Sequence, residues 1–259
     1  MRVLITGASS GIGAALAKKM AADGDSVWLA ARRVDKLEAV VAAIVAAGGA
    51  AHAAPLDVAD SDGLEAAVGA LDERAGGFDI VVVNAGVGGR GATASGLRYG
   101  DVKDVLAINF VGAISTILAA QQPMLARGRG HIVVVSSLAG ELALPVAPEY
   151  GATKAGLSYY VEAMRHDLAR HGVRVTLVHP GFVKSEMTEQ NAFAMPFIVE
   201  TDAAAALIVH AIRRRTARLR FPLAYRLAFA LAAILPRRLI AHLAIQSTRS
   251  GPQGMARRG

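Results

Sequence analysis

Hydrophobic residues in the first two hundred positions fall into short runs at 2–6, 26–30, 50–55, 79–83, 131–135 and 173–178. Each run is rich in Val, Ile, Leu and Ala and lacks a clear polar alternation, as expected of parallel strands covered on both faces. Between them, near 11–22, 34–47, 60–75, 101–126 and 148–171, the pattern changes to a helical one. This alternation predicts βαβ units and an α/β fold, a doubly wound parallel sheet flanked by helices on both faces. Ligands of such a sheet bind beyond the carboxyl ends of its strands. No repeat or linker interrupts residues 1–200, so one domain is expected there, followed by a helical, basic and apolar extension over 201–259.

The extension differs in character from what precedes it. Net charge is +7 over 259 residues, yet residues 1–202 carry 17 Lys/Arg against 21 Asp/Glu, and 203–259 carry 11 arginines with no acid. An amphipathic helix is expected over 201–215, from Thr201-Asp202 to Arg213-Arg214-Arg215, then a strand-like stretch over 218–222 that suits a last strand of the sheet. Residues 223–235 hold one charge, Arg226, before Pro236, Arg237 and Arg238, and 239–245 is apolar again. A helix over 223–235 reaches about 20 Å, short of the roughly 30 Å bilayer core, so it should not span. Two readings stand for this tail: a lid or subunit interface packed on the fold, or a peripheral anchor on an anionic membrane surface. It lacks the interleaved aromatics of a nucleic-acid binder, so no nucleic-acid partner is expected. With no cysteine, disulfides and thiolate metal sites are excluded. The N-terminus enters a strand directly, with no signal peptide; a cytoplasmic location is expected, peripheral at the membrane on the second reading of the tail.

The chemistry begins at Thr6-Gly7-Ala8-Ser9-Ser10-Gly11-Ile12-Gly13, which joins the first strand to the first helix. Glycines here allow a tight turn and close approach of a pyrophosphate to a helix N-terminus, which makes the fold Rossmann-type. The second strand ends in Trp28-Leu29-Ala30-Ala31-Arg32-Arg33. Ala31 stands where an acid would bind the ribose hydroxyls of NAD(H), and Arg32 suits a 2′-phosphate, so NADP(H) is expected. Arg33 shares that role or faces water. Tyr150 and Lys154, four apart on a helix, share a face. A nearby ammonium lowers a phenol from its usual value near 10 toward one suited to carbonyl–alcohol chemistry. Ser137 lies thirteen residues upstream of Tyr150.

Taken in order, these motifs resemble the short-chain dehydrogenase/reductase family, single-domain type, over residues 1 to about 200. Gly7, Ser9, Ser10, Gly11, Ile12 and Gly13 resemble its cofactor loop, although relatives preferring NADP often carry a basic residue where Ser10 stands. Asp57-Val58 resembles its adenine contact, and Asn84-Ala85-Gly86 its Asn-Ala-Gly segment, with Val83 in place of a frequent asparagine. Asn109 fits the family's helix asparagine; Ser137, Tyr150 and Lys154 fit its catalytic set. Pro180-Gly181-Phe182-Val183-Lys184-Ser185 resembles the loop after the sixth strand, Ser185 replacing a threonine. Pro180, Gly181, Val183 and Ser185 are thus further cofactor candidates, with Tyr150 and Lys154 touching the nicotinamide ribose side.

The resemblance implies that Tyr150 donates or takes the proton, Ser137 binds the carbonyl oxygen, Lys154 lowers the Tyr150 pKa, and Asn109 holds a water leading from Lys154 to solvent. It places substrate between 139–147 and 182–197, with Ser137, Leu142, Tyr150, Phe182 and Met187 as contacts and Phe193, Met195 and Phe197 nearby. That apolar lining implies a hydrophobic ketone, aldehyde or alcohol, and the NADP(H) preference favours reduction, so an NADP(H)-dependent reductase is expected. The alternatives are an NAD(P)+-dependent alcohol dehydrogenase working oxidatively and a non-catalytic dinucleotide sensor, which would usually lose the Tyr or the Lys. A homodimer or homotetramer through the long helices is implied as well. The seven histidines, His52, His131, His166, His171, His179, His210 and His242, show no ligand spacing, so no metal site is expected.

Overall fold

A computed structural model of the chain describes residues 1–89, 94–143, 146–189, 195 and 197–225. Seven parallel strands form its sheet: β1 (Arg2–Thr6), β2 (Ser26–Ala31), β3 (Ala50–Pro55), β4 (Ile80–Val83), β5 (Gly130–Val135), β6 (Val173–Pro180) and β7 (Arg218–Phe221). Their spatial order is β3-β2-β1-β4-β5-β6-β7. The order reverses between β1 and β4, which opens a crevice at the carboxyl ends of those strands.

Successive side chains of each strand enter different cores, and this explains the runs without alternation. Val3 and Ile5 pack with α1 (Gly11–Ala22), α2 (Val34–Ala46) and α8 (Thr201–Arg213) on one face. Leu4 packs with α3 (Ser61–Ala75), α5 (Ala113–Arg127) and α6 (Pro148–Arg170) on the other. With both faces covered, the central strands are apolar along most of their length. The helix expected over 101–126 is α4 (Tyr99–Leu106), a π-helical turn over Ala107–Gly112, and α5. Tyr99–Arg127 is long and apolar enough to cross a membrane by composition. Its Ile117 and Met124 are instead fully buried against the sheet.

The Rossmann unit does not stop at residue 200. Helix α8 buries Ala204, Ala205, Ile208, Val209 and Ile212, and β7 pairs with β6 from Leu177↔Arg218 to Pro180↔Phe221. Three arginines of the cationic extension are also tied back: Arg213 to Asp25, Arg218 to Glu162, and Arg220 to Glu141 at 2.6 Å. The extension up to Phe221 is therefore part of the sheet and its flank, and its charge is partly answered by acids of the preceding domain. Phe193, Arg226, the stretch to 235, Pro236 and the apolar 239–245 lie outside the described residues.

Candidate active site

The glycine loop is built for close packing. Gly7 has φ +67°, and a Cβ there would fall 2.7 Å from Ala85 Cα. A Cβ on Gly13 would fall 2.3 Å from Gly7 O. No larger residue fits either place, and the loop delivers backbone N–H groups to the start of α1. Buried Thr6 locks it to the end of β4: its Oγ1 accepts from Asn84 N at 3.0 Å and Ala85 N at 3.2 Å and donates to Val82 O at 3.3 Å. Asn84 Nδ2 donates to Thr6 O at 3.0 Å and Gly7 O at 3.2 Å. Asn84 and Ala85 thus brace the loop, and Ile12 packs against the core beneath it. Thr6 received no role from its sequence position, because its hydroxyl gains partners only when β1 and β4 meet.

The chemical centre forms where β4, β5 and α6 converge. Asn109 is fully buried in the π-turn. It donates from Nδ2 to Val87 O and accepts at Oδ1 from Val87 N, both at 2.8 Å. The side chain thus holds the loop after β4 in place. A Cβ on Gly86 would lie 3.2 Å from Asn109 Oδ1 and 3.6 Å from Lys154 Nζ, so these three groups are neighbours. Ser137 caps the 3-10 turn Leu138–Gly140 by accepting from Ala139 N at 3.1 Å. The same hydroxyl acts on the Tyr150 phenol, favouring its ionised form.

The expectation that Lys154 holds the Tyr150 phenol below its ordinary value is not met in this structure. Burial pushes the phenol up, with the Ser137 hydroxyl pulling against it. Burial likewise brings the Lys154 amine down to about 8. The ammonium faces the tyrosine ring, 5.8 Å from its centroid, and donates to Val135 O at 3.1 Å. Desolvation of both groups outweighs their mutual attraction.

Behind Lys154 runs a polar chain that sequence spacing does not reveal. Ser136 Oγ and Ser158 Oγ both donate to Lys154 O, at 3.0 and 2.7 Å, and lie 2.8 Å from each other. Ser158 Oγ is 3.0 Å from His179 Nε2, and Glu141 Oε1 stands 3.6 Å beyond that nitrogen. Burial holds the His179 imidazole down to about 4, so it is neutral at pH 7. Among the described residues, no group of three or more His, Asp or Glu is placed to hold a metal ion.

The two arginines after β2 find different partners on the nucleotide side of the crevice. Arg32 Nε lies 3.8 Å from Asp57 Oδ1. Arg33 reaches the glycine loop, donating to Ser9 Oγ at 3.1 Å and Ser10 Oγ at 2.7 Å. Its other nitrogen donates to Glu186 Oε2 at 2.7 Å, and Lys36 Nζ donates to Glu186 Oε1 at 2.6 Å. Lys36 and then Arg33 hold that carboxyl down to about 2. Arg33, at the start of α2, thus brings a positive charge to Ser10. Val58 is buried, and Asp57 accepts from Ala59 N at 3.0 Å.

The loop after β6 closes the site from above. Gly181 N donates to Phe221 O at 2.8 Å, and Val183 is buried and bridges to Val199. Ser185 lies against Gly11, where a Cβ would meet its own at 3.3 Å. Met187 Cγ lies 3.2 Å from the corresponding point on Gly88, while Leu142 is half-buried after the Ser137 turn. Tyr225 stacks edge-on against both Phe182 and Phe197, with ring centroids at 6.2 and 5.8 Å. Tyr225 thus joins the described end of the chain to the loop.

A parallel sheet with a glycine turn at β1–α1, a serine after β5 and a Tyr-x-x-x-Lys pair on the next helix defines a dinucleotide-dependent oxidoreductase class. Its cradle and donor groups fit a pyridine dinucleotide. The family model described as short chain dehydrogenase matches residues 1–195. An uncharacterized oxidoreductase of Myxococcus xanthus is 43% identical over 233 residues, covering 90% of this chain and 92% of that protein. A 3-ketoacyl-ACP reductase from Sinorhizobium meliloti is 32% identical with a TM-score of 0.76, over 85% of this chain and 97% of that one. A metagenomic short-chain oxidoreductase solved in complex with NADP is 32% identical with a TM-score of 0.74, over 86% of this chain and 97% of that one. The chain belongs to the short-chain dehydrogenase family and is an oxidoreductase.

Proposed function

We propose that this protein is an NADP(H)-dependent oxidoreductase that interconverts a carbonyl and a secondary or primary alcohol on a hydrophobic substrate, acting as a reductase. The observation that carries the reading is the placement of Ser137 and Tyr150 beside buried Lys154, at the carboxyl end of β5. NADPH, when bound along the glycine loop, supplies the hydride. Tyr150 gives its proton to the carbonyl oxygen as that oxygen gains charge. Ser137 donates a hydrogen bond to the same atom, which lowers the barrier only because the donor is already in place. Lys154 is fixed at both ends, by its ammonium on Val135 O and by two serines on its own carbonyl, so the helix presents Tyr150 in one orientation.

Two observations support reduction of an apolar substrate. Leu142, Phe182 and Met187 are apolar and stand in the segments after β5 and β6, and the similar Sinorhizobium protein is named a reductase. A homodimer or homotetramer through α5 and α6 is supported by exposed side chains on the long helices: Leu118 is 41% and Tyr159 80% exposed. A screen of NADPH consumption across hydrophobic ketones and aldehydes, run beside Tyr150→Phe, tests the function. Turnover by the wild type that the variant retains would overturn the assignment of Tyr150.

A further inference from the structure

Arg33 and Lys36 present a guanidinium and an ammonium side by side, the guanidinium also donating to two hydroxyls of the glycine loop. A single carboxylate answers both, one oxygen to each cation. That carboxylate belongs to Glu186, 153 and 150 residues away in sequence, in α7 (Glu186–Glu189) of the loop after β6. An arginine and a lysine on one bidentate anion, with two serine hydroxyls on the other nitrogen of the same guanidinium, form the donor set of a phosphate monoester site. Two cations against one carboxylate leave one positive charge unanswered. A phosphate carrying between one and two negative charges and three acceptor oxygens answers it better.

We propose that Glu186 is an internal counter-anion of the 2′-phosphate site: it occupies Arg33 and Lys36 in the ligand-free protein and is displaced by the phosphate of NADP(H). Glu186 is then a specificity-determining residue and Lys36 a phosphate ligand beside Arg33. Displacement also acts on the substrate side. Glu186 is flanked by Ser185, which lies against Gly11, and by Met187, which lies against Gly88. Release of the carboxylate therefore removes the polar tie that runs from α7 through Arg33 to the glycine loop, and phosphate binding at one end of the crevice loosens the segment that borders substrate at the other. All three side chains are over 40% exposed, so the latch is weak enough to be exchanged rather than structural.

This inference rests on the NADP(H) reading, and the experiment separates the two. Binding of NADPH, NADH and adenosine 2′,5′-bisphosphate is titrated on the wild type, Glu186→Gln, Lys36→Ala and Arg33→Ala. Cleavage by trypsin after exposed Lys184 reports the loop. Loss of two exposed ion pairs predicts that Glu186→Gln binds NADPH and the bisphosphate about five-fold tighter, with NADH changed by less than about two-fold. Lys36→Ala and Arg33→Ala weaken the first two ligands alone. The bisphosphate should raise wild-type cleavage to the rate that Glu186→Gln shows without ligand. If Glu186→Gln leaves NADPH affinity unchanged while Lys36→Ala and Arg33→Ala lower it, the counter-anion is wrong and the cofactor reading stands. If the wild type binds NADPH and NADH alike and neither cation matters, both fall. Tighter NADPH binding with unchanged cleavage would overturn the loosening.

Discussion

Lys154 Nζ donates its hydrogen bond to Val135 O, 3.1 Å away, while standing 5.8 Å from the centre of the Tyr150 ring. The amine that accompanies the catalytic phenol is thus anchored to the end of β5. Burial moves both groups toward their neutral forms, the phenol upward and the amine downward. The pair is pre-placed at a cost in solvation, and several measurements follow from that cost.

Tyr150→Phe removes the proton donor and keeps the ring. Turnover should fall by about 10²–10⁴-fold, the usual contribution of a placed acid. NADPH affinity should stay within about two-fold, since the fold around the glycine loop does not depend on the hydroxyl. Steady-state kinetics and a fluorescence titration of NADPH check the two halves separately.

Lys154→Met should abolish turnover and yet stabilise the protein below pH 8. The folded-state amine sits at about 8 against 10.5 unfolded, so the unfolded chain holds more protons between those values. Stability of the wild type therefore rises as pH climbs from 8 to 10.5, and the full penalty of about 3 kcal/mol applies below 8. Loss of the Val135 hydrogen bond takes back roughly 1 kcal/mol of the gain. Urea unfolding at pH 7 and pH 10 should show the variant's advantage and then its disappearance.

Acid should weaken the fold before its carboxylates titrate. Burial is the main cause that brings His131 and His179 to about 4, against 6.5 unfolded. Below 6.5 the unfolded chain takes up protons that the native state refuses, so stability is lost as pH falls from 6.5 toward 4. Each site accounts for up to about 3 kcal/mol by this linkage. Urea midpoints across that range should drop in the wild type and drop less in His131→Gln.

Thr6→Val keeps the shape of the side chain and removes the acceptor used by Asn84 N and Ala85 N. Leaving buried N–H groups without a partner costs about 1–3 kcal/mol each. Thermal unfolding should fall by several degrees, with weaker NADPH binding, and Thr6→Ser should restore both.

Much of the molecule was legible along the chain. The runs that became β1, β2, β4, β5 and β6 lacked alternation because those strands are covered on two faces, and the same fact made them easy to bound. Tyr150 and Lys154 were visible because helical spacing is local. The extension misled at its start: its arginines read as a separate cationic object, yet Arg213, Arg218 and Arg220 meet Asp25, Glu162 and Glu141 across the fold.

By itself the sequence determined the order of strands and helices, the glycine turn and the residues able to move a proton, since each is written in short-range spacing. Only the tertiary structure decided which arginine faces the glycine loop, what answers its charge and how the phenol and amine are shifted. Those outcomes depend on partners far apart in the chain and on water excluded from between them. Periodicity carries no record of either.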